Sequence, residues 1–329
     1  MGCSSSAEDD RNSAGTTGAT HTYARQADEA AALLDNGGRL ASHLQLSLSC
    51  SGLQNLDTFS KSDPFVVVSI RTGAAEQWTE VARTEVVANN LNPQFVTLVP
   101  VTYYFEEVQT LRLAVYDVEA SFSSNDASGL DLSKQELQGE AECAVASVVG
   151  APGQVWEGPL LNPSLPGQRA HISVRAEETK ESNALVYLRL SATGIRQGGS
   201  GTFIKVSRIS ESGPPVPCYK TEAAKLMGQN ASWKDLSVPL RVLANGDPQR
   251  PLLIECFHWK RSGSHVLVGN CRLSVHDMQQ RAASGEGMPL SKAPGGWRSV
   301  ARGGVHARAP AQLLRLPGRG YGDGLLGGH

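Results

Sequence analysis

From Leu44 onward apolar and polar residues alternate over short runs, and turn signals break the runs before any helical period can build. The runs "LQLSLSCSGLQ" (44–54), "PFVVVSI", "ARTEVV", "VTLVPVTYYF", "TLRLAVYDVE" and "LQGEAECAV" read as successive strands. The order then recurs as "VYLRLSATGIR" (186–196), "TFIKVSRI", "YKTEAA", "LSVPLRVL", "LLIECFHWK" and "LVGNCRLSV". Arg83-Thr84-Glu85 aligns with Lys220-Thr221-Glu222, and Gly139 with Gly269. An offset that stays near about 140 residues marks a tandem duplication of one all-β unit. Short strands at this spacing predict two antiparallel β-sandwiches. The expected first unit covers 40–176 and the second 184–280, joined by "EETKESN" (177–183).

Two flanking regions lack the alternation. Residues 1–39 are rich in Ser, Ala, Thr and Gly and read as a flexible leader, with a short helix at 23–34. Residues 281–329 are Gly, Arg, Ala and Pro with little periodicity and read as a disordered tail. A G-x-G-x-x-G match at Gly322, Gly324 and Gly327 falls in that tail without a strand before it or a helix after it, so it is no nucleotide site.

Composition narrows the class. A formal charge of −2 and a pI near 6.5 argue against a nucleic-acid binder, which is normally basic. No run of about 20 apolar residues is present to span a bilayer as a helix. The six cysteines show no C-x-x-C pair. Cys50, Cys143, Cys256 and Cys271 sit in strand contexts and read as small buried residues. That usage, with no secretory signal, predicts a cytosolic setting.

The chain opens Met-Gly-Cys-Ser-Ser-Ser, which fits the acylation pattern M-G-x-x-x-[ST] at Gly2, with Cys3 offering a thioester site beside it. The pairing matters because one myristoyl chain binds membranes only marginally, with K on the order of 10⁴ M⁻¹, whereas two anchor stably.

The first unit carries acidic loops. Asp57 and Asp63 lie between two strands, and Asp117 and Glu119 stand two apart after "LRLAVY", followed by Asp126 and Asp131. Where two such loops share one end of a sandwich, four to six carboxylates converge. Hard oxygen ligands on loops suit Ca²⁺. Loop aspartates are also common caps and turn formers, and the residues alone leave the two readings balanced.

"SKSDPFVVV", "ARTEVVANNLNPQF" and "VYDVE…LQGEA" resemble the C2 domain, and the tandem pair resembles the copines, most closely the plant bonzai-type members, over roughly residues 40–290. The resemblance implies calcium-dependent binding to anionic phospholipid at the cytoplasmic face of the plasma membrane. In plants it further implies support of growth and restraint of cell death and defence responses. It assigns Asp57, Asp63 and Asp117 as Ca²⁺ ligands, with Glu119 where an aspartate is usual. The last expected ligand falls near Ser133, and Asp131 two residues earlier is taken in its place. Phe59 and Phe122 are candidates for dipping into the interface. Other copines or membrane signalling proteins are further candidate partners.

The second unit departs from this pattern. Its first loop, "RQGGSGTF" (196–203), has Gly201 where Asp63 stands, and His258 and Lys260 replace Asp117 and Glu119. It is expected to bind no calcium. Trp259, Lys260 and Arg261 are candidate contacts to anionic headgroups. Copines continue into a von Willebrand A-type domain with a D-x-S-x-S site. That motif is missing here, so a truncated form is expected. No G-x-S-x-G, H-E-x-x-H or P-loop is found, so no enzyme is expected. The expected function is a calcium-regulated, lipid-anchored membrane adaptor. The alternatives are a calcium-independent peripheral scaffold or an interfering fragment.

Overall fold

A computed structural model describes residues 39–119, 125–180, 182–196, 198, 200–210, 213–291, 304–307 and 314–315. The expectations for the leader, with Gly2, Cys3 and the helix at 23–34, fall outside these residues, as does Phe122.

The first unit has eight strands: β1 (Ala41–Ser51), β2 (Pro64–Thr72), β3 (Thr79–Arg83), β4 (Val99–Tyr104), β5 (Gln109–Asp117), β6 (Glu136–Ala144), β7 (Val155–Pro159) and β8 (His171–Glu178). They form two antiparallel sheets, ordered β4-β1-β8-β7 and β3-β2-β5-β6. Alternation in β1 sends Leu44, Leu46 and Leu48 inward, where Phe95, Leu111 and Ile172 meet them. β2 reads as an unbroken apolar run because both its faces are covered. Val66 and Val68 face the main core, while Phe65 and Val67 face a smaller cluster with Val86, Val118 and Ala127. A short helix, α1 (Val145–Val149), closes one end.

The second unit repeats the plan with β9 (Ala184–Leu188), β10 (Leu190–Ala192), β11 (Thr202–Arg208), β12 (Val216–Lys220), β13 (Ala231–Ser232), β14 (Leu236–Pro239), β15 (Leu252–His258) and β16 (Val266–Leu273). β12-β11-β15-β16 is the counterpart of β3-β2-β5-β6. "LSVPLRVL" turns out to be half strand and half helix: after β14 the chain enters α2 (Leu240–Ala244), which ends at Asn245 in the left-handed region, φ 52°. The helix α3 (Val275–Ser284) follows β16. A capping box between Ser274 and Asp277 starts it and Gly285 ends it.

The boundary expected at 280 is corrected. The second unit runs on through β17 (Met288–Pro289), and Leu290 is buried in its core. The matched glycines explain why. A β-carbon on Gly139 would stand 3.1 Å from Leu160 Cβ, and one on Gly269 would stand 3.0 Å from Leu290 Cβ and 2.8 Å from the Ser291 carbonyl. Glu140 bridges to Leu161 just as Asn270 bridges to Ser291. Leu290-Ser291 is therefore the repeat of Leu160-Leu161. Beyond it, β18 (Gly304–Ala307) pairs with β10 and β19 (Leu314–Arg315) pairs with β9, beside which β14 lies on the other side. In the order β13-β10-β18-β17, β18 takes the place of β8. A sheet edge left open there would expose unpaired N–H and C=O groups, so a segment without apolar alternation is recruited by backbone pairing.

The two units share an interface. Leu98 of the first packs against the core of the second. Glu177, read from sequence as linker, is in β8, and its carboxylate is forked between Arg208 Nη1, at 2.6 Å, and Arg250 Nη1. Arg208 is fully buried and its Nη2 donates to Gln45 Oε1 at 2.6 Å. Asn245 donates to the Glu178 carbonyl at 2.8 Å.

Candidate functional site

The site is built at the end of the first sandwich where β2 begins and β5 ends. Pro64 and Asp117 are register partners, so the residue before β2 meets the last residue of β5. Ser62, fully buried, fixes the loop that leads in: its N–H donates to Asn55 Oδ1, and its hydroxyl accepts from Gln138 Nε2 at 3.1 Å. Asn55 Nδ2 in turn donates to the carbonyls of Asp57 and Ser60. The Ser60 hydroxyl donates to Asp57 Oδ2 at 2.8 Å.

Asp117 is the deepest carboxylate, 1% exposed. Its Oδ1 accepts the Asp63 N–H at 2.6 Å, while its Oδ2 is buried without a partner. Asp63 Oδ1 accepts the Asn89 N–H, also at 2.6 Å. Burial pushes the Asp117 carboxyl above its ordinary range and the charges of Asp57 and Asp63 push the same way, while the neighbouring Ser62 hydroxyl and the Asp63 N–H oppose. Asp63 is likewise raised, by burial first and by Asp57 as well, with the Asn89 N–H opposing. The carboxylates thus feel one another, and no cationic group is among the causes that shift either of them.

Glu119 is exposed and is brought to the same end. Its carboxyl lies beside that of Glu136, a residue the sequence reading missed. The Glu136 carboxyl is raised above its ordinary range by partial burial first, then by the Glu119 carboxyl beside it and by the charges of Asp117 and Asp57. A signal for it existed: once β5 and β6 are read as a hairpin, Glu136 falls directly opposite Asp117. Asp131 is not brought into this group. It caps the 3₁₀ turn Leu132–Lys134, accepts from the Ser133 N–H and hydroxyl, and pairs with Lys134 at 3.3 Å. Those contacts hold its carboxyl below the ordinary range. Phe59 stands fully exposed beside Asp57 on the first loop.

Among the described residues no three His, Cys, Asp or Glu side chains form a ready-made metal cage. The donor chemistry nonetheless fits a hard cation: every group is a carboxylate, and the orphaned Asp117 Oδ2 is an acceptor the fold leaves unsatisfied.

In the second unit His258 occupies the register position of Asp117, opposite Thr202. Its imidazole is held below the ordinary range by burial and by Lys260. Trp259 is half-buried, while Lys260 and Arg261 are exposed. All three line a cleft of about 520 Å³ between the units, facing Asn90, Asn92 and Asn125. Cys50, Cys143, Cys218, Cys256 and Cys271 are buried free thiols, in line with the sequence reading of the four strand cysteines.

Comparison with known proteins agrees with this architecture. The family model described as the C2 domain matches residues 45–156 and 187–290. The chain is homologous to Protein BONZAI 2 and Protein BONZAI 1 of Arabidopsis thaliana, 32% identical over 262 residues and 33% over 261. Each alignment takes in 77% of this chain and 44% of the relative, so the chain spans less than half the length of these proteins. Among solved structures, BON1-C2B is 24% identical with TM-score 0.34, covering 38% of this chain and 89% of that one. The calcium-bound pair of C2 domains from Extended-Synaptotagmin 2 is 16% identical with TM-score 0.30, covering 81% of this chain and 96% of that one.

Proposed function

The chain belongs to the C2-domain family, and from that premise we propose that its first C2 domain is a calcium-responsive module that docks the tandem onto anionic phospholipid. C2 domains typically bind Ca²⁺ and membranes, and the homology to BONZAI proteins supports a copine-like role. The observation that carries the reading for this chain is the buried, unpartnered Asp117 Oδ2 in a group of mutually repelling carboxylates.

Asp57, Asp63 and Asp117 are the proposed ligands, with Glu119 and Glu136 supplying outer oxygens. A bound cation neutralises these carboxylates and offers remaining coordination positions to lipid phosphate oxygens. Asp117 does the deep work, because its Oδ1 is already committed to the Asp63 N–H and only Oδ2 is left to give. The Asn89 N–H holds Asp63 Oδ1 in place. Phe59, exposed at the loop tip, enters the interface beside the headgroups. Asp131, tied to Ser133 and Lys134, serves as a structural cap.

The second domain has no carboxylate at these positions, and its Lys260 and Arg261 add basic charge worth about 1 kcal/mol each near an anionic leaflet. Acyl chains on Gly2 and Cys3 keep the protein at the cytoplasmic face of the plasma membrane. The role there is growth support and restraint of cell death and defence responses, a reading supported by the homology to the BONZAI proteins.

The test is co-sedimentation of the unacylated chain with phosphatidylserine vesicles across a calcium titration. Calcium-dependent pelleting that disappears in Asp63→Asn is the expected result. Pelleting without calcium would transfer the contact to Lys260 and Arg261, and none at all would leave the acyl chains as the membrane anchor.

A further inference from the structure

We propose that the loop 259–265 of the second domain is a brace on the first domain's cation loops, acting through Asn89, so that the second domain raises the cation affinity of a site to which it gives no ligand. This inference rests on the cation reading above and adds a positioning residue to it.

Asn89 is the meeting point. Its N–H donates to Asp63 Oδ1 at 2.6 Å, and its side-chain Oδ1 accepts the Lys61 N–H at 3.2 Å. One residue thus fixes both the ligand Asp63 and the loop that carries Asp57. To do so it sits in the left-handed region, φ 56°, where asparagine is tolerated better than most residues. Its third polar group, the carbonyl, faces the second domain. Gly263 is seated against it so closely that a β-carbon there would collide with the Asn89 carbonyl and come within 3.1 Å of the Ala88 carbonyl. Gly263 itself has φ 74°. The contact is therefore backbone on backbone, with both sides in conformations few residues accept.

The rest of the loop is stiff enough to transmit this contact. The Trp259 N–H donates to the Gly201 carbonyl at 2.9 Å. The Lys260 N–H donates to His265 Nδ1 at 3.2 Å, and the Gly263 N–H to the Lys260 carbonyl at 3.1 Å. His265 packs edge-on against Phe203, ring centroids 4.9 Å apart. Away from the site, the fork of Glu177 between Arg208 and Arg250 fixes how the second domain is presented. A ligand pre-set by the protein does not have to be ordered when the cation arrives, and that saving appears as affinity.

The experiment measures calcium affinity of the full chain by calorimetry, together with hydrogen exchange at the Asn89 amide. Two variants are compared with the wild type. Gly263→Val separates the backbones at the brace. Arg250→Gln loosens the fork far from Asn89 and guards against a loop that merely misfolds. Each variant is expected to weaken calcium binding by about fivefold or more and to speed exchange at Asn89, within the usual range of coupling between sites. Unchanged affinity in both variants overturns the brace, whether or not exchange changes. A wild type that takes up no calcium defeats the cation reading and the affinity claim with it, and faster Asn89 exchange in both variants would then show the positioning contact alone.

Discussion

Asp117 accepts the Asp63 N–H on one carboxylate oxygen and leaves the other buried without a partner. This pairing joins the start of β2 to the end of β5 through a group whose charge the fold does not otherwise compensate. Asp117→Asn keeps the acceptor and removes the charge. In chelator the variant is expected to melt higher than the wild type, and addition of calcium is expected to raise the wild type but not the variant. Parallel calcium shifts in the two proteins would remove Asp117 from the ligand set.

The repeated Thr84 and Thr221 do the same job twice. Thr84 Oγ1 accepts the Val66 N–H at 2.9 Å, and Thr221 Oγ1 accepts the Ile204 N–H at 3.0 Å. Both donate to the carbonyl of the next glutamate. Thr84→Val and Thr221→Val each strand a buried strand amide and are expected to cost about 1–3 kcal/mol. Denaturant titration checks this, and an unmoved midpoint would show that water or backbone satisfies the amide instead.

At the interface, Glu177→Ala removes the partner of the buried Arg208. Breaking such a pair from one side is expected to cost about 3–5 kcal/mol, whereas Arg208→Met, which removes the buried charge itself, costs less. The ranking of the two variants in thermal melts is the test.

The imidazole of His265 is held down to about 4, chiefly by burial and secondarily by Lys220. An unfolded histidine titrates near its ordinary 6.5. Between these values the unfolded state binds the proton that the folded state refuses, so stability rises with pH across the window. The contribution is complete above about 6.5 and is lost as pH falls toward about 4. His258, lowered in the same sense, adds to it. Melting of the second domain is expected to drop on acidification over that range, and His265→Phe is expected to flatten the drop.

The sandwich pair was legible because strands buried on one face alternate and because the duplication supplied its own control: Arg83-Thr84-Glu85 and Gly139 reappear as Lys220-Thr221-Glu222 and Gly269, with Thr84 and Gly139 making contacts that Thr221 and Gly269 repeat. Asp57, Asp63, Asp117 and Glu119 were legible from spacing and do gather at one end of the first domain. Glu136 was missed because it enters through hairpin register, which spacing along the chain does not encode. Asp131 was included because its competing partners, Ser133 and Lys134, are local and equally acceptable to a loop carboxylate. The second domain was cut short at 280 because β18 and β19 join by backbone pairing, which leaves little trace in an apolar pattern. The role of Glu177 was hidden for a related reason, since its partners lie in another domain.

Arg208 has a consequence for whether the two domains can be taken apart. Duplicated domains usually remain interchangeable parts that can be shuffled, lost or reused alone. Here the second copy has sunk a guanidinium into a position whose acceptors, Glu177 and Gln45, both belong to the first copy. Excising either domain would leave an ion or its acceptors without counterparts. The two copies therefore answer to one buried ion: a change at Arg208 is felt in the first domain, and a change at Glu177 or Gln45 in the second.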